Sequence, residues 1–354
     1  MLKHLMRGAL VATALVCVTG GLASAADITL RATANSNEND EDYDGLVVFK
    51  NYIENASNGT MTVDIFMGTQ ICATGEECLQ GIADGTIDVY MSTSGGAAGL
   101  FPYLQVLDLP YLMDNDRVAE AVLGGPFTAD LRNLALADSG GTMRLMTIGN
   151  TGGWRNFANT EHTIKTPADM AGLKMRTVPA ELPQELVKAL GAAPTPIAWP
   201  ELFTSLQTGV VQGTANGITD IMNMKFPDAG LKYLTLDRHS YMAAFWWMSN
   251  DRFMNLTEVQ RRIVVDAFYA LQQATFASPK RKEIAAYEEF VADGGEIYVP
   301  TEEEKAAFRD AVQPVFEWFK GSMDGGDEIF ETFTNAVEQA EATVNDQRTV
   351  ELAQ

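Results

Sequence analysis

The sequence predicts an α/β protein of two lobes, each a mostly parallel sheet flanked by helices. Two observations lead to this prediction. Segments with the two-residue alternation of a β-strand are followed by segments with the spacing of an amphipathic helix, an order typical of parallel sheets covered by helices. The chain also has 354 residues, more than one hydrophobic core usually supports. A chain that passes between the lobes more than once forms a clamshell with a hinged cleft.

The first third of the chain shows the alternation most clearly. Residues 28–33 alternate as a strand, and the apolar residues of 46–56 have helical spacing. A second strand is predicted at 61–66, a helix at 77–83 and a third strand at 87–91. These segments predict the sheet of a first lobe with its covering helices.

The middle of the chain continues the pattern in a second lobe. Strands are predicted at 143–148 and 174–178, and helices at 181–190 and 201–208. Residues 210–216 are predicted to form a strand that ends in a turn.

The last third is predicted to be mainly helical. Residues 257–290 have helical spacing throughout, with Pro279 as a position where the helix can bend. Residues 302–351 are predicted to form amphipathic helices with a break at the glycines of 321–326. The apolar segment 245–247 is predicted to be a strand in the core.

Residues 1–25 have the features of a signal peptide. Lys3 and Arg7 precede a short apolar run, and Ala23-Ser24-Ala25 is a small-residue cleavage site. The apolar run is shorter than the roughly 20 residues that cross a bilayer. We therefore expect export to the periplasm with cleavage of the peptide, and a non-cleaved anchor is the alternative.

The chain is strongly acidic. Its formal net charge is −22, and it becomes −24 when Lys3 and Arg7 are removed with the signal peptide. A nucleic-acid ligand is excluded, because phosphate binding needs a concentrated basic face. An anionic ligand must be attracted by local positive charge, since the overall field of the protein repels it.

Cys72 and Cys78 are the two cysteines outside the signal peptide. In an oxidising compartment we expect them to form a disulfide that closes a short loop beside the ligand cleft. The alternative is a pair of free thiols. Zinc needs more ligands of the right type, and only His162 and His239 accompany the two cysteines. We expect no metal and no cofactor.

Two arginines with uncharged neighbours are the strongest candidates for a binding site. Arg176 ends a short predicted strand, and Arg155 lies among aromatic and neutral residues. A guanidinium offers a planar fork of donors to a carboxylate, which an ammonium group does not. The alternatives are a surface ion pair for Arg176 and stacking on Trp154 or Phe157 for Arg155.

The same region carries a family resemblance. The sequence resembles the solute-binding proteins of tripartite ATP-independent periplasmic (TRAP) transporters, the DctP family, over essentially all of the chain that follows the signal peptide. The segments that carry the resemblance are GIADGTID at 81–88, LPYL at 109–112, TPAD at 166–169, GLKMR at 172–176 and ELFTSLQTGVVQG at 201–213.

The resemblance implies a periplasmic binding protein clamshell with a long helix that spans both lobes, for which 257–290 is the candidate. The predicted first lobe comprises 26–150 and about 238–277, and the second comprises 151–237 and about 278–354. The resemblance also implies that the protein works as a monomer with the membrane permease subunits of a TRAP transporter.

The resemblance assigns roles to four residues. Arg176 matches the arginine that binds the substrate carboxylate in this family, and Arg155 matches a second arginine found in many members. Asn216 is retained at the end of a family turn, although the two residues before it differ from the usual pair. Trp199 lies where the family usually places an aromatic residue against the ligand, and a packed core tryptophan is the alternative.

Three further residues are candidates in the first lobe. Thr93 and Ser94 follow the predicted strand at 87–91, where a loop facing the cleft is expected. Asn35 follows the first strand in the same way. Their hydroxyl and amide groups are suited to hydrogen bonds with the far end of a ligand.

The acidic segment from Asp40 to Gly45 is similar in sequence to the start of a calcium-binding EF-hand loop. That loop needs a glutamate at its twelfth position, where this chain has Asn51. We therefore interpret the segment as a capped helix start.

Together these features predict a TRAP solute-binding protein that captures a small organic carboxylate. A sulfonate is the alternative ligand, and a sensor component with the same ligand is an alternative role. An exported hydrolase or lyase is the rival class. The sequence lacks a Gly-x-Ser-x-Gly motif, His162 lies in a polar turn, and His239 has no partner motif nearby.

Overall fold

A computed structural model describes residues 27–353, so the predicted signal peptide lies outside the described residues. The strands are β1 Ile28–Ala34, β2 Met61–Met67, β3 Val89–Thr93, β4 Met143–Asn159, β5 Lys174–Thr177, β6 Ala193–Pro196, β7 Gly213–Asn216, β8 Tyr233–Ser249 and β9 Glu296–Tyr298. The α-helices are α1 Glu41–Ala56, α2 Gly75–Asp84, α3 Ser94–Ala97, α4 Asp116–Leu123, α5 Pro126–Asp138, α6 Glu181–Ala189, α7 Leu202–Gln207, α8 Ile218–Asn223, α9 Asn250–Asn255, α10 Glu258–Ala292, α11 Glu302–Ala311, α12 Gln313–Gly321 and α13 Gly326–Leu352. Short 3-10 helices are formed by Pro102–Asp108, Pro167–Met170, Trp199–Glu201 and Phe226–Ala229.

The strands form one continuous sheet in the order β2-β1-β3-β8-β4-β7-β5-β6, with β9 beside β8. The strands at both ends of this order pair in parallel: β1 with β2 and β3, and β5 with β6 and β7. The long strands β4 and β8 pair antiparallel with each other and with β3 and β7. The α/β fold is as predicted, and these two strands join its two parallel parts into one sheet.

The ladder between β4 and β8 is interrupted near its middle. Its register shifts between Asn150 and Trp154, where Gly152 and Gly153 adopt φ of +73° and +78°. Side chains other than glycine rarely adopt this conformation. A Cβ at Gly152 would also overlap the carboxylate of Asp220. The two glycines therefore fit a tight bulge between the two ends of the long strands.

Two helices show how local sequence sets an element's start. Asp40 caps α1 by accepting a hydrogen bond from the backbone N–H of Asp42. This confirms that the acidic segment starts a helix. Thr257 and Gln260 form a capping box at the start of α10. The long helix predicted at 257–290 is present, and it continues through Pro279.

Helix α10 contacts both parts of the molecule. It packs against α1 and β4 and also against α8 and β9. One end of α10 shares a core with β1, β2 and α1, and the other end shares a core with α7 and α8. A third core lies on the opposite face of the sheet and includes α4 to α6 and α11 to α13. Phe245, Trp246 and Trp247 are fully buried in these cores, as predicted.

Most predicted elements are found within a few residues, and the largest errors concern the long strands. The prediction gave β4 only residues 143–148 and β8 only the segment 245–247, because glycines and polar residues interrupt their apolar patterns. The break predicted at 321–326 separates α12 from α13. The lobe boundaries stay a prediction. Helix α13, assigned to the second lobe, packs against α4 and α5 of the predicted first lobe.

Within residues 27–353, no helix is both long enough and apolar enough to cross a bilayer.

Candidate functional site

A cavity of about 400 Å³ lies where residues from both parts of the sheet meet. One wall comes from the ends of β1 and β3, the start of α1 and the loop before α2. The other wall comes from β4, β5, β7, α8 and the 3-10 helix at Trp199–Glu201. Of the seven residues predicted to bind substrate, six line this cavity: Asn35, Thr93, Arg155, Arg176, Trp199 and Asn216.

Arg176 is held in β5 with its guanidinium at the cavity. The residue is 3 % exposed, and its Nε donates to the carbonyl of Ile197 at 2.9 Å. Its guanidinium carbon lies 5.6 Å from the centroid of the Trp199 ring. Its Nη2 is buried without a hydrogen-bond partner among the described residues. Burial and the charge of Arg155 lower the pKa of Arg176 to about 9, so the guanidinium is charged at neutral pH.

Arg155 lies on β4 and is also buried. Its Nη1 donates to the carbonyl of Ala215 at 3.0 Å. Within residues 27–353, no ion pair includes Arg155 or Arg176. We refer to these two residues as the arginine pair. They form a positively charged side of the cavity whose direct protein contacts are neutral carbonyl groups.

Asn216 and Trp199 line the cavity and also have structural contacts. The Asn216 amide accepts from the hydroxyl of Thr214 at 2.8 Å and donates to Asp220 at 3.1 Å. These bonds orient the Asp220 carboxylate and leave one N–H of Asn216 for another acceptor. Trp199 is half-buried and packs edge-on against Phe226, so it both lines the cavity and contacts the core.

Asn35 and Thr93 line the opposite wall. The Asn35 amide donates to the carbonyl of Cys72 and accepts from the hydroxyl of Tyr90 at 2.7 Å. The Thr93 hydroxyl accepts from the backbone N–H of Gly96 and so caps the short helix α3. Both side chains therefore shape this wall through bonds within the protein.

Ser94 is not where the sequence analysis placed it. It is 1 % exposed, does not line the cavity, and its hydroxyl donates to the carboxylate of Asp108. Ser94 is the first residue of α3, and the change from strand to helix turns its side chain away from that of Thr93. Its predicted role in ligand binding is wrong.

An acidic side of the cavity was missed by the sequence analysis. Asp40 and Asp42 at the start of α1, and Asp220 on α8, line the cavity together with residues of the disulfide loop. All three are buried. Burial is the largest cause that raises the pKa of Asp42 to about 8 and that of Asp220 to about 7. The acidic segment was visible in the sequence, but no pattern indicated Asp220.

The predicted disulfide is present between Cys72 and Cys78. The residues that it encloses, from Ala73 to Glu76, line the cavity. The position of this loop beside the cleft is therefore as predicted. The disulfide and the bond from Asn35 to Cys72 fix the loop at both of its ends.

His239 has a partner, contrary to the sequence analysis. Its Nδ1 lies 2.7 Å from the carboxylate of Asp237, which also accepts from the hydroxyl of Tyr111. The His239 ring stacks on Phe157 and is 2 % exposed. His239 does not line the main cavity, but together with Arg155 and Arg176 it lines a small separate void.

Comparison with known proteins identifies the family. Residues 32–322 match bacterial extracellular solute-binding protein, family 7, named DctP. The chain belongs to this family. The prediction of a TRAP solute-binding protein of the DctP family is confirmed.

Three similar proteins illustrate the match of this DctP-family chain. A solute-binding protein of Verminephrobacter eiseniae (strain EF01-2) is 31% identical over 244 residues, 69% of this chain and 71% of that protein. The 2,3-diketo-L-gulonate-binding periplasmic protein YiaO of Escherichia coli (strain K12) is 28% identical, covering 80% of this chain and 84% of that protein. The sugar acid binding protein DctPAm of Advenella mimigardefordensis strain DPN7T, solved with galactonate, is 25% identical with a TM-score of 0.83. The match covers 88% of this chain and 98% of that one.

Proposed function

We propose that this DctP-family protein captures a small hydroxylated carboxylic acid and delivers it to TRAP permease subunits. The observation that carries the proposal is the buried guanidinium of Arg176, whose Nη2 has no partner among the described residues. Its Nε bond to Ile197 fixes the plane of the fork beside the cavity. A carboxylate placed there accepts from Nη2 and is attracted by the charge of Arg155.

The rest of the cavity supports a ligand that carries hydroxyl groups. Asp40, Asp42 and Asp220 offer acceptors on the cavity lining, and Ser92 and Thr151 offer hydroxyls. Two of the similar proteins described above bind galactonate and 2,3-diketo-L-gulonate, both sugar acids. A tryptophan in the cleft by itself weakly disfavours an extended polyhydroxylated acid. The polar groups named above nevertheless provide hydrogen-bond partners for such an acid.

Ligand binding draws the two walls of the cavity together in this proposal. The acidic residues of α1 and the disulfide loop lie on one wall, and Arg176 and Trp199 lie on the other. A ligand that contacts both walls stabilises the closed arrangement, because those contacts are lost when the walls separate.

We also propose that the chain is exported with cleavage of residues 1–25, acts in the periplasm as a monomer and has no catalytic activity. The support for a binding role is the family match and the arginine pair, whose hydrogen-bond partners are neutral carbonyl groups. The His239–Asp237 pair lies away from the main cavity and is closed off by Phe157.

A thermal-shift screen of the mature protein tests the proposal. Aldonates such as galactonate, 2,3-diketo-L-gulonate, simple dicarboxylates and aliphatic sulfonates are compared. A ligand at 100 times its dissociation constant adds about 2.7 kcal/mol to the free energy of unfolding. We expect the largest shift with a hydroxylated carboxylate, confirmed by calorimetry. A shift with sulfonates alone contradicts the carboxylate assignment, and no shift with any acid contradicts the binding role.

A further inference from the structure

Three buried carboxylates meet at the edge of the cavity. Asp40 and Glu41 stand at the start of α1, and Asp220 stands on α8. One carboxylate oxygen from each residue lies within 4.8 Å of the others. All three residues are at most 3 % exposed. We call this set the carboxylate trio.

Glu41 shows that the trio needs a partner. Both of its carboxylate oxygens are buried, and no donor among the described residues reaches either of them. The residue is fully buried and is not among those that line the cavity. A solute in the cavity therefore contacts Asp40 and Asp220 without contacting Glu41. The group that satisfies Glu41 must be small enough to lie among the three carboxylates.

We propose that the carboxylate trio of Asp40, Glu41 and Asp220 binds a calcium ion beside the solute cavity. The proposal goes beyond the proposed function, because the trio is a set of ligands for a cation and not for an organic acid. The acidic segment lacks the glutamate of an EF-hand loop at its twelfth position, where the chain has Asn51. The structure supplies Asp220 from a distant segment of the chain.

Charge favours a divalent cation over a proton at this position. The trio and the adjacent Asp42 are four carboxylates, and the arginine pair supplies two positive charges on the same cavity. Both oxygens of Glu41 and Oδ1 of Asp42 are buried without a donor among the described residues, and a single proton cannot satisfy all three. A cation contacts several oxygens at once, so one ion can satisfy carboxylates from all three residues of the trio.

The ligand chemistry favours calcium among the divalent cations. Carboxylate oxygens suit hard cations such as calcium. The trio offers no nitrogen or sulfur ligand, and these are the ligands that zinc and copper prefer. Calcium binds oxygen at about 2.3–2.6 Å, so oxygens on opposite sides of the ion are up to about 5 Å apart. Magnesium needs a tighter octahedron and usually keeps several waters, which a buried trio disfavours.

Calorimetry on the mature protein, freed of metal with EDTA and kept without organic acid, tests the site. Calcium chloride is the titrant, and magnesium chloride and sodium chloride at equal ionic strength are compared. We expect one calcium ion per chain and a higher unfolding temperature. The absence of calcium binding at millimolar concentration overturns the proposal, as does an equal response to sodium chloride.

The Glu41→Gln variant links the response to the trio. It keeps the shape of the side chain but removes its charge, and we expect calcium affinity to fall by roughly tenfold or more. Glu38→Gln is the matched control, because Glu38 is exposed and lies just before α1. Unchanged calcium affinity in Glu41→Gln overturns the assignment. In EDTA, Glu41→Gln is expected to be at least as stable as the wild type, since it removes a buried unpaired charge.

Asp220→Asn provides a second variant if Glu41→Gln fails to fold, and it is also expected to lose at least tenfold in calcium affinity. Titration of the same wild-type sample with galactonate separates the two proposals. Galactonate binding without calcium binding contradicts only the cation site. Calcium binding without any organic-acid binding contradicts only the proposed solute.

Discussion

At the scale of single residues, Arg176 and Arg155 differ from the arginines that form ion pairs on the surface. Arg31, Arg252 and Arg281, for example, pair with aspartates. The arginine pair instead donates to the carbonyls of Ile197 and Ala215. A neutral carbonyl orients a guanidinium without neutralising it. In a chain of net charge −22, this arrangement preserves local attraction for an anion.

Arg176→Lys is predicted to weaken binding of the organic acid by roughly 10- to 100-fold, because a charged hydrogen bond contributes about 1.5–3 kcal/mol. Lysine keeps the charge but cannot donate to Ile197 and to a carboxylate from one fixed plane. Calorimetry with the best acid from the screen measures the effect. Arg144→Lys is the matched control, because Arg144 is a half-buried strand arginine outside the cavity. Equal affinities for wild type and Arg176→Lys contradict the assigned role.

Thr93 and Ser94 differ in the direction of their side chains, and this difference decides which of them lines the cavity. They are adjacent hydroxyl residues, yet only Thr93 lines the cavity. The backbone changes from strand to helix between them. The sequence located the segment correctly, but the direction of each hydroxyl depends on where the strand ends.

At the scale of elements, the disulfide between Cys72 and Cys78 constrains a loop that lines the cavity. Cys72 and Cys78 enclose residues that form part of one wall. The loop leads directly into α2, which Thr74 caps through the backbone N–H of Glu77. The covalent closure, the helix cap and the Asn35 bond together limit the movement of this wall.

The double variant Cys72→Ser with Cys78→Ser is predicted to lower the free energy of unfolding by about 2 kcal/mol, the value expected for opening so short a loop. Urea denaturation measures the change. We also expect weaker organic-acid binding, because the loop that lines the cavity becomes less ordered. Wild type treated with a reducing agent serves as the control and is expected to reproduce the variant. An unchanged denaturation midpoint in the variant contradicts this account.

At the scale of the whole molecule, burial of the acidic residues links stability to pH. The pKa of Asp42 is raised to about 8 and that of Asp220 to about 7, mainly by burial, while Arg155 partly opposes the rise at Asp220. The pKa of Asp40 is also raised, by burial and by its acidic neighbours. An aspartate in the unfolded chain titrates near 3.9. Between about pH 4 and pH 8 the folded state therefore holds more protons than the unfolded state.

The free energy of unfolding in EDTA is accordingly predicted to fall as the pH rises from 5.5 to 8.5. Chemical denaturation at several pH values measures this dependence. Asp42→Asn is expected to flatten the dependence, because it removes one of the titrating groups, whereas Asp84→Asn, at an exposed carboxylate whose pKa is lowered, is not. Stability that rises with pH over this interval contradicts the prediction.

The sequence by itself determined the α/β class, the long helix α10, the disulfide and the segment that carries Arg176. These features have local signals: the period of apolar residues, a capping box, cysteine spacing and a family motif. It also located six of the seven substrate-binding candidates on the cavity lining.

Only the tertiary structure decided how distant segments meet. It joined the two parallel parts into one sheet through β4 and β8, and it brought Asp220 to the start of α1. Periodicity records which face of an element is buried, but it does not record which other element covers that face. Periodicity therefore could not predict the acidic side of the cavity, because its carboxylates come from elements that meet only when the whole chain is packed.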